Sequence, residues 1–172
     1  CGFILFYPKS HRNLSLEKAK ELTSIKHSKA NVAVMVQPNK SQLESIKNLN
    51  FQYYQIYGDQ DPDEMNEIKK CYDVKLIKAL AIKTKEDVLK YKKYQKVSDI
   101  LLFDSKGMEK SLSYSHSLLK YVPTNIKKMV AGNIQIQDLE KISKIADIVD
   151  VSGAVESEGK KDLVKIKEFL LK

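Results

Sequence analysis

Short apolar runs alternate with segments of helical spacing along this chain of 172 residues, and this alternation limits the folds available to it. Strands that alternate with helices pair in parallel, because each helix returns the chain to the start of the next strand. The predicted strands are residues 2–7, 31–36, 53–57, 75–82, 100–103, 128–131 and 148–151. The predicted helices are residues 16–25, 41–49, 62–72, 85–94, 115–121, 136–145 and 161–171. The pattern predicts an α/β fold with a parallel sheet.

The spacing of the predicted strands favours a closed barrel. Their starts lie about 24 residues apart, and equal units are typical of a (β/α)8 TIM barrel. Seven units are present, whereas eight would need about 195 residues. Because the chain opens with Cys1 and runs straight into a strand, we expect the first βα unit to precede residue 1. Residues 1–172 are then a single barrel domain, and an open flavodoxin-like sheet is the alternative.

Three predicted helices carry capping signals at their starts. The pairs are Ser41 with Glu44, Asp61 with Glu64, and Thr84 with Asp87. In such a pair the first side chain accepts from the backbone N–H three residues on, and the acid accepts in return from the cap N–H. Pro62 also suits the first helical position, where its missing N–H costs nothing.

The net charge of +8 does not by itself indicate nucleic-acid binding. Of the 30 Lys and Arg residues, only Arg12 is an arginine, and the lysines are spread among acidic residues on the predicted helices. Recognition of bases and phosphates favours Arg and interleaved aromatic residues. The sequence therefore predicts no nucleic-acid partner, and the single guanidinium of Arg12 stands out as a candidate for a special role.

Cysteine content and hydropathy exclude two further classes. Cys1 and Cys71 cannot form a disulfide framework, and we expect Cys71 to pack at a helix end. No apolar run approaches the roughly 20 residues that cross a bilayer, and the N-terminus is not a signal peptide. These features predict a cytoplasmic protein without a membrane partner. The three histidines show no metal-ligand spacing, and His27 and His116 are expected to be solvated.

Polar residues and glycines follow the predicted strands at their carboxyl ends, where parallel barrels carry their chemistry. Asp104 ends an apolar run, which suits a general acid, although a helix cap or a partner of Lys106 is the alternative. Arg12 follows the first strand, either as an ordinary surface cation or as a bidentate clamp on a carboxylate.

The last two strand-end loops predict a phosphate site. Gly132 and Gly153 allow backbone N–H groups to approach an anion, and Ser152 adds a hydroxyl. Glycines that serve only as turn residues are the alternative.

Six stretches carry a resemblance that covers essentially the whole chain. Residues 2–12 are similar to G-F-x-F-Y-x-x-S-x-R, 55–59 to Q-L-H-G-[DE], 77–79 to I-K-A, 101–105 to L-L-x-D-[ST], 149–156 to V-D-V-S-S-G-V-E and 159–162 to G-x-K-D. In their order and spacing, these stretches resemble the phosphoribosylanthranilate isomerase family of tryptophan biosynthesis.

The resemblance implies an Amadori rearrangement that converts N-(5′-phosphoribosyl)anthranilate to 1-(o-carboxyphenylamino)-1-deoxyribulose 5-phosphate by general acid and base catalysis. It makes Asp104 the general acid, Arg12 the ligand of the anthranilate carboxylate, and Asp150 a contact to the sugar or amine. Phosphate would be held at Gly132, Asn133, Ser152 and Gly153. The resemblance implies no metal or organic cofactor. We expect a phosphorylated small molecule as the partner, and a monomer or weak dimer.

The chain departs from the family pattern at several positions. The family's general base is a Cys in a K-x-C-G motif, which residues 1–172 lack; Cys1 falls at the wrong end of a strand to replace it. We therefore expect residues 1–172 alone to be nearly inactive. Tyr57 replaces a His, Tyr114 stands at a Trp position, and the loop after Asp104 is shortened to residues 107–110. A diverged barrel that binds phosphate without catalysis is the alternative function.

Overall fold

The computed structural model describes residues 1–105 and 114–172. The chain divides into two compact units. The first unit comprises Cys1–Ala79 and Lys93–Asp99, and the second comprises Leu80–Lys92 and Ile100–Lys172.

The helices and strands follow the alternation predicted from the sequence. The strands are β1 Gly2–Leu5, β2 Asn13–Leu14, β3 Val32–Val36, β4 Tyr53–Tyr57, β5 Lys75–Ile82, β6 Ile100–Ser105, β7 Lys128–Val130, β8 Ile148–Val149, β9 Glu156–Ser157 and β10 Lys160–Lys161. The α-helices are α1 Leu16–Ser24, α2 Lys40–Ile46, α3 Pro62–Tyr72, α4 Lys85–Leu89, α5 Tyr91–Tyr94, α6 Leu139–Ile142 and α7 Leu163–Leu170. Short 3-10 helices cover His116–Tyr121, Ile136–Asp138 and Gly153–Val155. Among the residues that the structure describes, none of the helices combines the length and apolar character needed to cross a membrane.

The first unit is built on parallel strands in the order β2-β1-β3-β4-β5. Met35 of β3 pairs with Ile56 of β4, and both side chains are fully buried. Burial of such side chains contributes roughly 1.5–3 kcal/mol each, which makes this core the main source of stability in the unit. The core residues are Leu5, Ala19, Ala33, Met35, Leu43, Ile46, Phe51, Tyr54, Ile56, Met65, Ile68, Val74 and Leu76.

The second unit contains the parallel strands β6, β7 and β8 and the antiparallel hairpin β9–β10. Leu102 pairs with Met129, and Val130 pairs with Val149. The run Ile100–Phe103 is buried along its whole length, as expected for a central parallel strand that is covered on both faces. Because β7 and β8 are parallel neighbours, the loops that follow them leave from the same edge.

Two of the three predicted helix caps are confirmed and one is wrong. Asp61 and Thr84 form capping boxes with Glu64 and Asp87. Helix α2 instead begins after Asn39, whose side chain accepts from the Gln42 backbone N–H at 2.9 Å. Ser41 thus lies inside the helix. Two good capping residues stand two positions apart there, and local preference alone does not choose between them.

Several short elements differ from the sequence prediction. The strand β2 was not predicted, because two residues carry no periodic pattern. The last helix was predicted from residue 161, but Lys161 belongs to the β9–β10 hairpin, and α7 begins at Leu163. The hairpin turn is formed by Glu158 and Gly159, both at positive φ. Cys71, expected to pack, is exposed.

Helix α4 gives the first testable prediction. The Asp87 carboxylate accepts from the backbone N–H groups of Lys83 and Thr84, both at 3.1 Å, and from Lys90 Nζ at 2.8 Å. The hydrogen bond from Lys90 is the largest cause, and it lowers the pKa of Asp87 from about 3.8 to about 2. Asp87→Ala should lower the free energy of unfolding by about 1 kcal/mol at pH 7, a modest value because water screens a carboxylate near the surface.

The sign of the pH dependence follows from the lowered pKa of Asp87. Its stabilisation is present above pH 3.8 and is lost as the pH falls towards 2, so the difference between Asp87→Ala and the parent should shrink over that window. Urea titrations at several pH values measure this, with Glu168→Ala, which removes an exposed acid on α7, as the control. A difference that stays constant from pH 7 to pH 2 would contradict the prediction.

Candidate active site

Asp104 lies at the carboxyl end of β6, in the second unit. The carboxyl group is half-buried, and its Oδ1 accepts from the Ser105 backbone N–H at 2.7 Å. The preceding carbonyl oxygen, on Phe103, accepts from the Tyr114 hydroxyl and from the Ala131 backbone N–H, both at 3.0 Å. These contacts fix the end of the strand and direct Asp104 to the edge where the chemistry was predicted.

Tyr114 shares this environment. Burial raises the pKa of its hydroxyl, and the negative charge of Asp104 raises it further. Tyr114 therefore stays a neutral hydrogen-bond donor at physiological pH. Lys106 and the shortened loop of residues 107–110, which the sequence analysis also considered, lie outside the described residues.

Gly132 follows β7 in a conformation that other residues adopt only under strain. Its φ is +102°, and a Cβ atom placed on it would lie 2.9 Å from Ser105 Oγ and 3.1 Å from the Ser105 backbone nitrogen. The next residue, Asn133, also has a positive φ of 50° and is exposed. Two successive residues with positive φ turn the chain sharply after β7.

Asp150, Ser152 and Gly153 follow β8 at the same edge. The Asp150 backbone N–H donates to the Val130 carbonyl at 2.8 Å, which continues the β7–β8 ladder by one residue. Ser152 and Gly153 are exposed. The structure thus brings together the two loops that the sequence predicted as a phosphate site.

Lys161 is a residue of this edge that sequence reasoning missed. Its Nζ donates to the carbonyl and hydroxyl oxygens of Ser152 at 3.0 and 3.3 Å, and it pairs with Glu156 at 2.8 Å. A positive charge therefore lies beside the predicted phosphate loop. The G-x-K-D stretch contained this lysine, but its approach to Ser152 depends on the β9–β10 hairpin, which was not predicted.

Arg12 lies in the first unit, in the turn that links β1 to β2. The turn is closed by hydrogen bonds from Ser10 N to Tyr7 O and from Asn13 N to Ser10 O, both at 3.0 Å. The Tyr7 backbone N–H donates to Asn13 Oδ1 at 2.8 Å, and the Arg12 backbone N–H donates to Ser10 Oγ at 3.2 Å. This network holds the half-buried Arg12 at the carboxyl end of β1.

Cys1 lies at the opposite end of β1. Its carbonyl accepts from Val32 N at 2.8 Å, and its backbone nitrogen donates to the Ala30 carbonyl at 2.7 Å. Ala30 precedes β3 and Val32 begins it, so both partners lie at the amino end of that strand. Cys1 therefore lies at the amino end of β1, whereas Arg12 follows its carboxyl end.

Tyr57 ends β4, also in the first unit, and the turn after it is held tightly. Its carbonyl accepts from Gln37 N at 2.9 Å, and its hydroxyl accepts from Gln55 Nε2 at 3.3 Å. Gly58 follows with a φ of +102°, and a Cβ atom there would lie 2.2 Å from Gln37 Cγ. The turn therefore requires glycine at position 58.

Lys78 of β5 is a second residue to which sequence reasoning gave no role. Its side chain is 1% exposed, and its Nζ donates to the carbonyl oxygens of Ile56, at 3.4 Å, and Gly58. Burial lowers the pKa of Lys78 from its usual value near 10.5 to about 8, and the charge of Asp59 opposes this shift. In the sequence, Lys78 stands within the apolar run of residues 76–82. A lysine there indicates a buried amine, which destabilises the fold unless it finds hydrogen-bond acceptors.

The histidines differ in exposure. His11 and His27 are exposed, but the expectation that His116 is solvated is wrong. His116 is half-buried against the Tyr114 ring, with centroids 4.9 Å apart, and burial lowers its pKa. Across residues 1–105 and 114–172, no three His, Cys, Asp or Glu side chains are grouped as a metal site would require.

Comparison with known proteins extends over nearly the whole chain. Residues 2–172 match the model of the N-(5′-phosphoribosyl)anthranilate isomerase family. A curated relative of that name from Thermoanaerobacter pseudethanolicus is 32% identical, and the match covers 99% of this chain and 85% of the relative.

Solved structures agree with the sequence comparisons. The phosphoribosyl anthranilate isomerase of Thermotoga maritima superposes with a TM-score of 0.86 at 26% identity, covering 98% of this chain and 84% of that one. A phosphoribosyl anthranilate isomerase in complex with reduced 1-(o-carboxyphenylamino)-1-deoxyribulose 5-phosphate superposes with a TM-score of 0.83 at 23% identity, covering 98% and 84%.

These matches confirm the predicted α/β TIM-barrel fold class over the open flavodoxin-like sheet. They also agree with the family resemblance found in the sequence. The chain belongs to the N-(5′-phosphoribosyl)anthranilate isomerase family.

Proposed function

We propose that this protein converts N-(5′-phosphoribosyl)anthranilate to 1-(o-carboxyphenylamino)-1-deoxyribulose 5-phosphate in tryptophan biosynthesis. The family match over residues 2–172 is the observation that carries the proposal. The relatives reported above are isomerases by name, and one solved structure holds a reduced form of this product. The alternative of a phosphate-binding barrel without catalysis has no support from these comparisons.

Asp104 is the proposed general acid. In an Amadori rearrangement the acid gives a proton to the ring oxygen, the C1′–O bond breaks, and a base then removes the C2′ proton; the resulting enol tautomerises to the ketone. The half-buried position of Asp104 at the end of β6 supports this role, because a proton donor must be accessible to substrate yet partly shielded from water. The neighbouring Tyr114 hydroxyl stays neutral and does not compete as a base.

Arg12 is the proposed ligand of the anthranilate carboxylate. A guanidinium presents two parallel N–H donors that match a carboxylate, and the closed turn between Tyr7 and Asn13 supports a fixed approach. Asp150, one residue beyond β8, is the proposed contact to the sugar or amine.

Phosphate binding is proposed at Gly132, Asn133, Ser152 and Gly153. The left-handed backbone at Gly132 and Asn133 and the exposed Ser152 hydroxyl supply donors at one edge of the β7–β8 pair. Lys161 adds a positive charge beside Ser152.

We propose further that residues 1–172 alone turn over this substrate slowly, because the K-x-C-G motif that supplies the family's base is absent from them. A positioned base contributes roughly 10²- to 10⁴-fold. A cytoplasmic location and a monomer or weak dimer stay predictions, and size-exclusion chromatography with light scattering tests the second.

The first experiment measures turnover of N-(5′-phosphoribosyl)anthranilate by residues 1–172 and, beside them, by the product of the complete reading frame. Activity in the second preparation supports the isomerase. Equal activity in both would contradict the proposed need for a base outside these residues. No activity in either, with a folded chain, would overturn the isomerase proposal. The kinetic variants below are made in the more active preparation.

Asp104→Asn should lower kcat by about 10²- to 10⁴-fold with little change in the affinity for product, since an amide cannot donate the proton that opens the ring. Steady-state kinetics and product inhibition measure the two effects separately. An equal loss in turnover and product affinity would indicate that Asp104 positions the substrate instead.

Arg12→Lys should raise KM by about 10-fold or more and leave the far-UV circular dichroism unchanged, because an ammonium cannot reproduce a bidentate contact. Kinetics identical to those of the parent would contradict the role of Arg12 as a carboxylate clamp.

Lys161→Met should raise the inhibition constant for inorganic phosphate by about two- to five-fold, a modest effect because the charge of Lys161 is partly exposed and already paired with Glu156. Lys160→Met removes the neighbouring exposed lysine of β10 and is the matched control, expected to leave that constant unchanged. The same change in both variants would show a general effect of net charge and would remove Lys161 from the proposed site.

A further inference from the structure

Four carbonyl oxygens around the turn after β4 accept hydrogen bonds from neighbouring elements of the first unit. Gln37 N donates to Tyr57 O, and the Tyr94 hydroxyl donates to Gln60 O at 3.0 Å. Lys78 Nζ donates to the remaining two, on Ile56 and Gly58. The turn is thus held by one backbone group, one hydroxyl and one buried cation.

The Lys78 ammonium lies among an aromatic ring and the carbonyl oxygens of the turn after β4. Its Nζ lies 4.9 Å from the centroid of the Tyr94 ring. The negative charge of Asp59, on the same turn, favours the charged amine, whereas the positive charge of Lys93 disfavours it. Within residues 1–105 and 114–172, Lys78 forms no ion pair. Burial of a lysine without an ion pair lowers the free energy of unfolding, so the Lys78 ammonium does not stabilise the fold.

We propose that Lys78 is a positioning residue for the isomerase reaction: it fixes the turn of residues 57–60, and thereby the Tyr57 side chain, at the substrate-facing end of β4. The inference rests on the proposed function and deepens it. Lys78 acts through the Gly58 carbonyl and does not itself touch substrate. Tyr57 is half-buried at the strand end, and its hydroxyl is held by Gln55, so a shift of the turn moves a ring at the edge where substrate binds.

The kinetic test compares Lys78→Met with Lys75→Met. Lys75 begins the same strand, is exposed, and lies over the Tyr53 ring at the opposite end, so it provides the same chemical change away from the turn. Lys78→Met should reduce kcat/KM by about 10- to 100-fold, mostly through KM, because a displacement of about 1 Å at a binding residue has effects of that size. Lys75→Met should match the parent.

Stability separates positioning from a structural role. Replacing a buried charge by an apolar side chain of similar length is often neutral or stabilising, so Lys78→Met should unfold at the same urea concentration as the parent or at a higher one. Parallel losses of stability and activity, or no loss of activity, would overturn the proposal. Failure of both Lys78→Met and Lys78→Gln to fold would also overturn it, since the ammonium would then be needed for the fold itself.

A spectroscopic test is independent of turnover. The chain contains no tryptophan, so Tyr57→Trp introduces a single indole at the turn. Adding Lys78→Met should increase acrylamide quenching of that indole by about two-fold or more as the turn loosens, and adding Lys75→Met should not. Unchanged quenching would overturn the role of Lys78. Increased quenching in a protein without isomerase activity would support the role of Lys78 in fixing the turn and refute the proposed function instead.

Discussion

Parallel pairing is the constraint on which the arrangement of this protein depends. In each unit it brings the carboxyl ends of neighbouring strands to one edge, and the residues that follow them must leave the sheet sharply. In the first unit, Phe6, Gln37 and Gly58 each come directly after a strand and each have a positive φ. For the two residues with side chains, this backbone costs roughly 1–3 kcal/mol each. The buried sheet and its apolar core offset that cost at the edge where ligand contacts are proposed.

In each unit, the carboxyl ends of the strands also hold polar groups that a core would ordinarily exclude. Lys78 in the first unit and the Tyr114 hydroxyl in the second are both held by backbone carbonyls at strand ends. Burial shifts the pKa of each towards its neutral form, downwards for Lys78 and upwards for Tyr114. Both side chains act as donors to the backbone, so they shape the strand ends without needing a charged partner. Burial of these polar groups lowers the stability of the fold, and their hydrogen bonds fix the strand ends beside Tyr57 and Asp104.

Much of this architecture could be predicted from the sequence, and the exceptions have physical causes. The seven predicted strands and the caps at Asp61 and Thr84 depend on neighbouring residues, so their pattern is visible locally. Asp104, Gly132 and Ser152 were predicted at strand ends because an apolar run shows where a strand stops. The contacts of Lys161 with Ser152, and of Lys78 with Gly58, join residues that are 9 and 20 positions apart. Such contacts depend on how hairpins and strands pair, which no local pattern contains.

The packing of Gln37 over Gly58 has a consequence for how this protein can change. A Cβ atom at position 58 would lie 2.2 Å from Gln37 Cγ, far inside van der Waals contact, and the Cγ atom is too near the backbone to swing aside cheaply. Any other residue at position 58 therefore becomes tolerable only after position 37 has acquired a smaller side chain. Even then the φ of +102° still favours glycine, and Asn or Asp would be the least strained of the other residues. A substitution at position 37 must therefore come before one at position 58. In the reverse order, the side chain at position 58 would clash with Gln37 and destabilise the fold.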